Sequence, residues 1–492
     1  MKFVNYLKVL LAATILLFIY GLIERVPDID DAWLGEHAYW LAKLGYVKSE
    51  LMRGITYQHI RFLCHHKLLT LQGALIVNLF GFSLYGLKAL SLVYLVLFIL
   101  IFYWYTYKKI LSPPQFYGAL IILLIYRPFY EFAFVFRPEL PVMTIGFLSY
   151  ILLEKALKEE NKQALVAGSG FLAGVCVATH LNGVIFPMAG FVLLVWNKRY
   201  QQAILFGMAA VPAIAVYFFD FTSGYNWRFW LYQLNETPSH DRANKLPYGL
   251  SYLLNLVTEH KRYFHSIREA TFYGLFLLVF ILTQAYLKPF KNLSRYAFLL
   301  TICLGLLAIH KATKYAIIIL PYLIMLLVLG MGYLFKEKDS EDFAFNKKFL
   351  PKLRLFLAVA FVFYFGVHAY FDFELANQKY KPEEFNKLVK AYLPEDTKNL
   401  KIVAPMTFIY GNIDGFKAIQ ADMCYGELNR VNSKIYQEEF LNLTKANKAD
   451  YLILTDHYID KFGLVHYTNH DFLKAGFQQL LGGKELIILK RI

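Results

Sequence analysis

Long apolar runs separated by short basic gaps dominate the first three quarters of this chain. Runs long enough to cross a bilayer fall near 6–23, 87–107, 114–130, 138–154, 164–181, 183–197, 202–220, 271–287, 296–311, 315–334 and 354–371. The pattern predicts a polytopic α-helical membrane protein with about eleven transmembrane helices. The basic groups Lys108–Lys109, Lys155/Lys158/Lys162, Lys198–Arg199, Lys288/Lys291/Arg295 and Lys336 to Arg354 all fall on one side if the N-terminus is cytoplasmic, which supports both the count and the orientation. Two tight pairs, 164–197 and 296–334, also admit a re-entrant or broken segment.

Under this topology the stretches 24–86, 221–270 and 372–492 lie outside the cytoplasm, and function is expected on that face. Within the first, GALIVNLFGFSLYG reads as a helix lying along the membrane surface. In the last, charged and amide residues return, and β-rich runs at 401–405, 451–455 and 485–490 alternate with helical stretches. The chain therefore divides into a membrane domain, 1–371, with external loops 24–86 and 221–270, and a small extracytoplasmic α/β domain, 372–492.

Composition agrees: 58% of residues are hydrophobic and 18% aromatic, and the mean hydropathy is +0.41. The net charge of +15 resides in the gaps between spans, so it reports topology and not a nucleic-acid partner. No small-residue cleavage site follows the first run, which is expected to remain as an anchor with Lys2 and Lys8 in the cytoplasm, the membrane being the inner or plasma membrane of a bacterium. Cys176 and Cys303 fall inside apolar runs as packing residues, whereas Cys64 and Cys424 both face outward and could be bridged. Trp227, Trp230 and Tyr232 read as interfacial belt. HExxH, CxxC, P-loop and GxSxG patterns are absent from the sequence.

Five polar groups sit at predicted outer ends of spans. Asp30–Asp31 follows the first span, His65–His66–Lys67 precedes the surface helix, and Arg137–Pro138–Glu139 opens the fourth span. His180 closes the fifth, and His310–Lys311–Ala312–Thr313–Lys314–Tyr315 lies between the ninth and tenth. Acids and bases at one membrane depth suit a reaction between a lipid-borne phosphate and a second substrate, cations holding phosphate oxygens while a carboxylate takes a proton. Each group has a plainer reading. The aspartates could only end a helix, Lys311 and Lys314 could reach to headgroups, His180 could be a satisfied interfacial histidine, and Arg137 could pair with Glu139 to shape a turn.

With these residues in place, the chain resembles the C-type superfamily of integral membrane glycosyltransferases, in the branch of protein O-mannosyltransferases and lipid A aminoarabinose transferases, over about residues 1–335. Asp30–Asp31 with AWLGEHAYWLAKLG resembles that branch's Asp-Asp/Glu motif and trailing helix. HHKLLTLQGALIVNLFGFSLYGLKALSLVY is similar to its Lys-Pro-Leu stretch, surface helix and Phe-Gly-x-Ser turn. FRPELPVMTIGFLSYILLEKAL resembles its acidic second external loop, ATHLNGVIFP its Thr-His/Lys stretch, and HKATKYAIIILPYLIML its basic-x-x-basic-Tyr segment.

The resemblance implies inverting transfer of a sugar from a polyprenyl-phosphate donor to an acceptor hydroxyl of a lipid, glycan or protein on the outer face. It makes Asp30 the general base, with Asp31 beside it and Glu139 organising acceptor or base. Lys67, Lys311, Lys314 and Arg137 would hold the donor phosphate, and His66, His180 and Tyr315 would line the substrate site. Some relatives use a divalent cation, magnesium or manganese, and others none; His65 or Asp31 could contribute a ligand. Departures from the pattern are Asp31 where glutamate is usual, leucine after Lys67 where proline is common, and Trp33 in place of an arginine. The other class that the spans admit is a transporter, or a flippase or ligase of lipid-linked glycans. Transporters, however, place ionisable residues near the midplane in related halves, a pattern this chain lacks.

Overall fold

The computed structural model describes residues 2–159, 162–236, 248–308, 311–336, 350–428 and 437–492. His310 and positions 337–349 of the basic stretch lie outside the described residues, as do positions 237–247 of the second external loop. Helices occupy the positions of the apolar runs: Lys2–Tyr20, Leu84–Thr106, Pro113–Ile125, Glu139–Lys158, Gln163–Thr179, Ile185–Trp196, Tyr200–Ala215, Ile267–Thr283, Lys291–Leu307, Leu320–Leu334 and Leu350–Asn377. Among the described residues, six helical segments are individually long and apolar enough to cross a membrane, or up to seven if a bent pair counts as one span. The chain is an integral membrane protein. The bent pair, Tyr252–Tyr263 with Ile267–Thr283, turns through 103°. Ser266 makes that corner, its Oγ accepting from the Arg268 N–H while its own N–H donates to Glu269.

The chain splits into two compact units. The first comprises Met1–Arg25, Ser91–Phe219 and Ala243–Lys379. The Thr313–Leu334 segment is central to it, 83% buried along its apolar window against 17% for Leu350–Asn377. Gln163–Thr179 packs between Glu139–Lys158 and Tyr200–Ala215. Small residues permit the approach: a Cβ on Gly170 would stand 2.2 Å from the Phe206 carbonyl oxygen, and one on Gly174 2.4 Å from that of Ala210. On the other side, Ser149 and Ser169 each donate to the other's carbonyl at 2.8 Å.

The second unit comprises Val26–Leu90, Asp220–Arg242 and Tyr380–Ile492. Its sheet contains β1 (Lys401–Ala404), β2 (Ala418–Ala421), β3 (Tyr451–Thr455), β4 (Phe477–Leu481) and β5 (Leu486–Arg491) in the order β2-β1-β3-β5-β4. Strands β2, β1 and β3 are parallel, and β5 and β4 add antiparallel. The three β-rich runs become β1, β3 and β5. The short AIQA and FQQLL segments, β2 and β4, show no run long enough to announce a strand. Val403, Leu452, Leu454 and Leu489 form the core with Phe440, Phe462 and Phe472, and Phe440 stacks on Phe462 at 4.1 Å. The edge strand β2 is covered by the segment at Leu51–Arg53: the Ala421 N–H donates to the Leu51 carbonyl at 3.0 Å and the Gln420 side-chain amide to that of Arg53 at 2.9 Å. Cys64 and Cys424, a conceivable bridge on sequence grounds, are both free thiols.

The contact at Gly174 sets a stability prediction. Gly174→Leu forces the Gln163–Thr179 and Tyr200–Ala215 helices apart and is expected to cost at least about 1–3 kcal/mol, as overpacking does. Thermal unfolding in detergent reads the loss, and an unchanged midpoint would mean that the helices do not meet at this glycine.

Candidate functional site

The aspartate pair opens the Ile29–Leu44 helix of the second unit, and local chemistry makes its two members different. Asp28 is the N-cap: its Oδ1 accepts from the Asp30 N–H at 2.9 Å, while Asp31 Oδ2 accepts from the Asp28 N–H at 2.9 Å, closing a capping box. Asp31 is fully buried, with Oδ2 3.4 Å from the ammonium of Lys88, which is equally buried. Its carbonyl accepts from the Tyr410 hydroxyl at 2.6 Å. Gly35 leaves room for that tyrosine, since a Cβ there would lie 2.6 Å from the hydroxyl. Asp30, one residue earlier, remains partly exposed. Two turns along the helix, the buried Glu36 carboxylate accepts from Ser49 Oγ at 2.6 Å, the Glu50 N–H at 2.7 Å and Trp40 Nε1 at 2.9 Å. These bonds tie the following loop to the helix. Burial pushes Glu36 up to about 7, against the pull of its donors. Its place in a mostly apolar helix is the only sign of it in the sequence.

Lys67 begins the Lys67–Phe80 helix and is buried. Its ammonium donates to both oxygens of Asp220 and to the Leu63 carbonyl, each at 2.8 Å, and lies 3.1 Å from His65 Nε2. His65 Nε2 in turn sits 3.0 Å from Asp220. Burial lowers Lys67 to about 8 and His65 to about 3. Burial alone would raise Asp220, but the His65 hydrogen bond and the Lys67 charge outweigh it and hold the carboxyl below the usual range. Asp220 ends an apolar run in the sequence, and no local pattern singles it out. His66 occupies the N-cap position of the same helix without a side-chain capping bond.

The first unit gathers a second group. The Arg137 guanidinium grips Glu139 with two bonds, Nη2 to Oε1 at 2.7 Å and Nε to Oε2 at 3.0 Å, both side chains buried. His180 and Lys314 lie within electrostatic reach of Glu139. Arg137 and Lys314 both reach the Phe132 ring, at 5.7 and 5.8 Å from its centroid. His180 accepts from the Asn182 N–H at 2.8 Å through Nδ1 and meets Tyr315 edge-on at 5.6 Å. The Arg262 guanidinium lies 5.7 Å from the centre of the Tyr315 ring.

Glu259 binds Arg262 Nε at 2.6 Å and Lys311 Nζ at 2.8 Å, and Arg262 also holds the Ala312 carbonyl at 2.7 Å. Lys311 further bonds the Gly305 and Ala308 carbonyls, ending the Lys291–Leu307 helix. Burial lowers its pKa, opposed in part by Glu259. Glu259 and Arg262 carry no motif and lie in the 221–270 stretch, so sequence reasoning passes over them. Arg137, Glu139, His180, Lys314 and Tyr315 thus fall in one cluster of the first unit, in which Arg137, Arg262, Lys311 and Lys314 face Glu139 and Glu259. Cations gathered from separate elements suit an anionic ligand. Asp30, Asp31, His66 and Lys67 belong to the second unit. Among the described residues no three His, Cys, Asp or Glu side chains come together as metal ligands.

No protein-family sequence model matches the chain, and no sequence relative was found among characterised proteins. Solved structures do match. ArnT from Cupriavidus metallidurans in its apo state is 12% identical, covers 99% of this chain and 98% of its own, and superposes with a TM-score of 0.58. ArnT bound to undecaprenyl phosphate gives 0.57 at 11% identity over the same shares. The archaeal oligosaccharyltransferase AglB from Archaeoglobus fulgidus, in complex with an inhibitory peptide and a dolichol-phosphate, gives 0.58 at 10% identity, covering 98% of this chain and 74% of its own. At these identities the likeness is one of fold. The chain has the GT-C fold of these membrane glycosyltransferases.

The depressed His65 predicts an acid weakness. Its folded pKa of about 3 lies below the ordinary 6.5, so the unfolded chain binds the extra proton between those values. The stability from keeping His65 neutral is complete above pH 6.5 and is lost as pH falls towards 3. Thermal midpoints measured from pH 7 to 4 should fall, and His65→Gln, which keeps a donor at the Nε2 position without titrating, should flatten the slope.

Proposed function

We propose that this protein is a membrane glycosyltransferase that moves a sugar from a polyprenyl-phosphate donor to an acceptor hydroxyl, on a lipid, glycan or protein, at the outer face of the membrane. The observation that carries the reading is the pair of cations over Phe132. Arg137 and Lys314 come from different elements to one aromatic ring beside a buried carboxylate, in a chain with the GT-C fold. A guanidinium and an ammonium at one spot suit the oxygens of a phosphate, and the ring suits the first isoprene units or the sugar. Bound undecaprenyl phosphate in one structural neighbour and dolichol-phosphate in another support a lipid-phosphate ligand.

In the proposed reaction Asp30 takes the proton of the acceptor hydroxyl, whose oxygen attacks the anomeric carbon from the side opposite the leaving group. The bond from that carbon to the phosphate oxygen breaks, and the polyprenyl phosphate departs with both electrons, so the configuration inverts. The leaving group gains negative charge as the bond breaks, and Arg137 and Lys314 stabilise that charge more than the ground state. Glu139 holds Arg137 in place. Asp31, paired with Lys88, supports the helix that presents Asp30, while Lys311 and Arg262 build the turn that carries Lys314 and Tyr315. His66 and His180 contribute to substrate binding. A divalent cation, magnesium or manganese, would add to the neutralisation of the phosphate. The N-terminus faces the cytoplasm and the β-sheet domain the outside of a bacterial inner membrane.

Asp30→Asn removes the base at nearly constant volume and should abolish release of polyprenyl phosphate from polyprenyl-phosphate sugars in proteoliposomes with the fold intact. Normal release by that variant would sink the assignment. Lys314→Ala should weaken donor binding by about ten-fold or more while some turnover persists, as expected for loss of one charge-assisted contact; an unaltered dissociation constant would return Lys314 to a headgroup-facing role.

A further inference from the structure

Lys67 has the sequence position of a donor contact, yet its surroundings resemble a joint. Its ammonium donates to the Asp220 carboxylate and the Leu63 carbonyl, and His65 Nε2, which donates to the same carboxylate, lies 3.1 Å away. A cation in the first turn of a helix has the wrong sign for the helix dipole, and burial makes this worse, so an anion is required nearby. Asp220 supplies it from another part of the chain.

The same two segments are joined at several further points. Arg61 donates to the Asp220 carbonyl at 3.0 Å. The buried Gln233 side chain accepts from the Leu63 N–H at 2.8 Å and donates to the Arg61 and Thr56 carbonyls at 2.8 and 3.0 Å. Cys64 Sγ lies 3.5 Å from the Trp230 carbonyl. The helix that Lys67 opens packs against Ile29–Leu44, which presents Asp30.

We propose that Lys67, His65 and Asp220 form a buried strut that pins the first external loop to residues 220–236, and that Lys67 acts on the reaction as a positioning residue and does not touch the donor phosphate. A donor phosphate could reach this ammonium only by displacing Asp220 and opening the stitched segment. The turnover arm of the test rests on the glycosyltransferase reading; the labelling arm does not.

Cys64 is a native reporter, because it is partly exposed while Cys176, Cys303 and Cys424 are buried. Maleimide labelling of Cys64, polyprenyl-phosphate binding and turnover are measured on the full chain in nanodiscs for wild type, Lys67→Met, Asp220→Leu and the double variant. Each single substitution leaves a buried charge without its counterion, so Cys64 labelling should rise and turnover fall by about ten-fold or more. The double variant removes both charges at similar volume and should return labelling, binding and turnover to within about three-fold of wild type. Wild-type labelling should be the same with and without saturating polyprenyl phosphate.

Double-variant protein with wild-type labelling and no polyprenyl-phosphate binding would overturn the proposal and make Lys67 a phosphate ligand. So would faster Cys64 labelling of wild type when polyprenyl phosphate is added, and so would single variants that label like wild type. If the single variants fail to fold, the double variant and the wild-type comparison still decide. Should wild type neither bind nor turn over any polyprenyl-phosphate donor, the glycosyltransferase reading fails while the labelling still judges the strut.

Discussion

Asp31 buried against Lys88 is the interaction on which the arrangement of the second unit turns. A carboxylate without water needs a cation and donors, and Asp31 has the Lys88 ammonium on one side and the Asp28 N–H on the other. Because the capping box orients the first turn of Ile29–Leu44 and the ion pair anchors that turn to Lys88, the position of Asp30 is set by Asp28, Asp31 and Lys88. Tyr410, from the segment that follows β1, closes the same corner through the Asp31 carbonyl, and Gly35 is the residue that lets it approach. The sheet domain is thereby tied to the loop that carries the aspartates.

The same requirement sorts the cations. Lys67 meets Asp220, Lys311 shares Glu259 with Arg262, and Arg137 grips Glu139. Removing Arg137 or Glu139 alone leaves its partner as a buried charge, at a cost of about 3–5 kcal/mol in comparable sites. A residue of this kind can be indispensable without meeting substrate. Loss of activity on mutation therefore does not by itself make a lysine a phosphate ligand, and removal of both partners together is the more telling experiment.

How far the sequence could be read follows from the range of each interaction. Apolar runs depend only on neighbours, so helices stand where the pattern placed them, and the β-rich runs at 401–405, 451–455 and 485–490 became strands. Strand β2 was invisible because four residues of mixed character are buried by partners distant in sequence, β1 and the segment at Leu51–Arg53 among them. Asp220, Glu259 and Arg262 were passed over for a similar reason. Their importance comes from Lys67, Lys311 and the Ala312 carbonyl, each far away along the chain, and no local spacing connects them.

The sequence by itself determined where the apolar helices lie, the non-spanning stretches between them and a short set of polar groups at helix ends, since hydropathy and helix length answer to the bilayer alone. It also placed Asp30 and Asp31 just past the first apolar run, while the Asp28 capping box that starts the Ile29–Leu44 helix there emerged only from the structure. Only the tertiary structure decided which aspartate is buried and which partly exposed, because Lys88 and Tyr410 reach that turn from elsewhere in the chain. It likewise decided that Arg137 and Lys314 share the Phe132 ring and that Lys67 is held by Asp220. The physical reason is that a charge takes its role from whichever countercharge the folded chain brings within a few ångströms, and that distance is not written in the order of the residues.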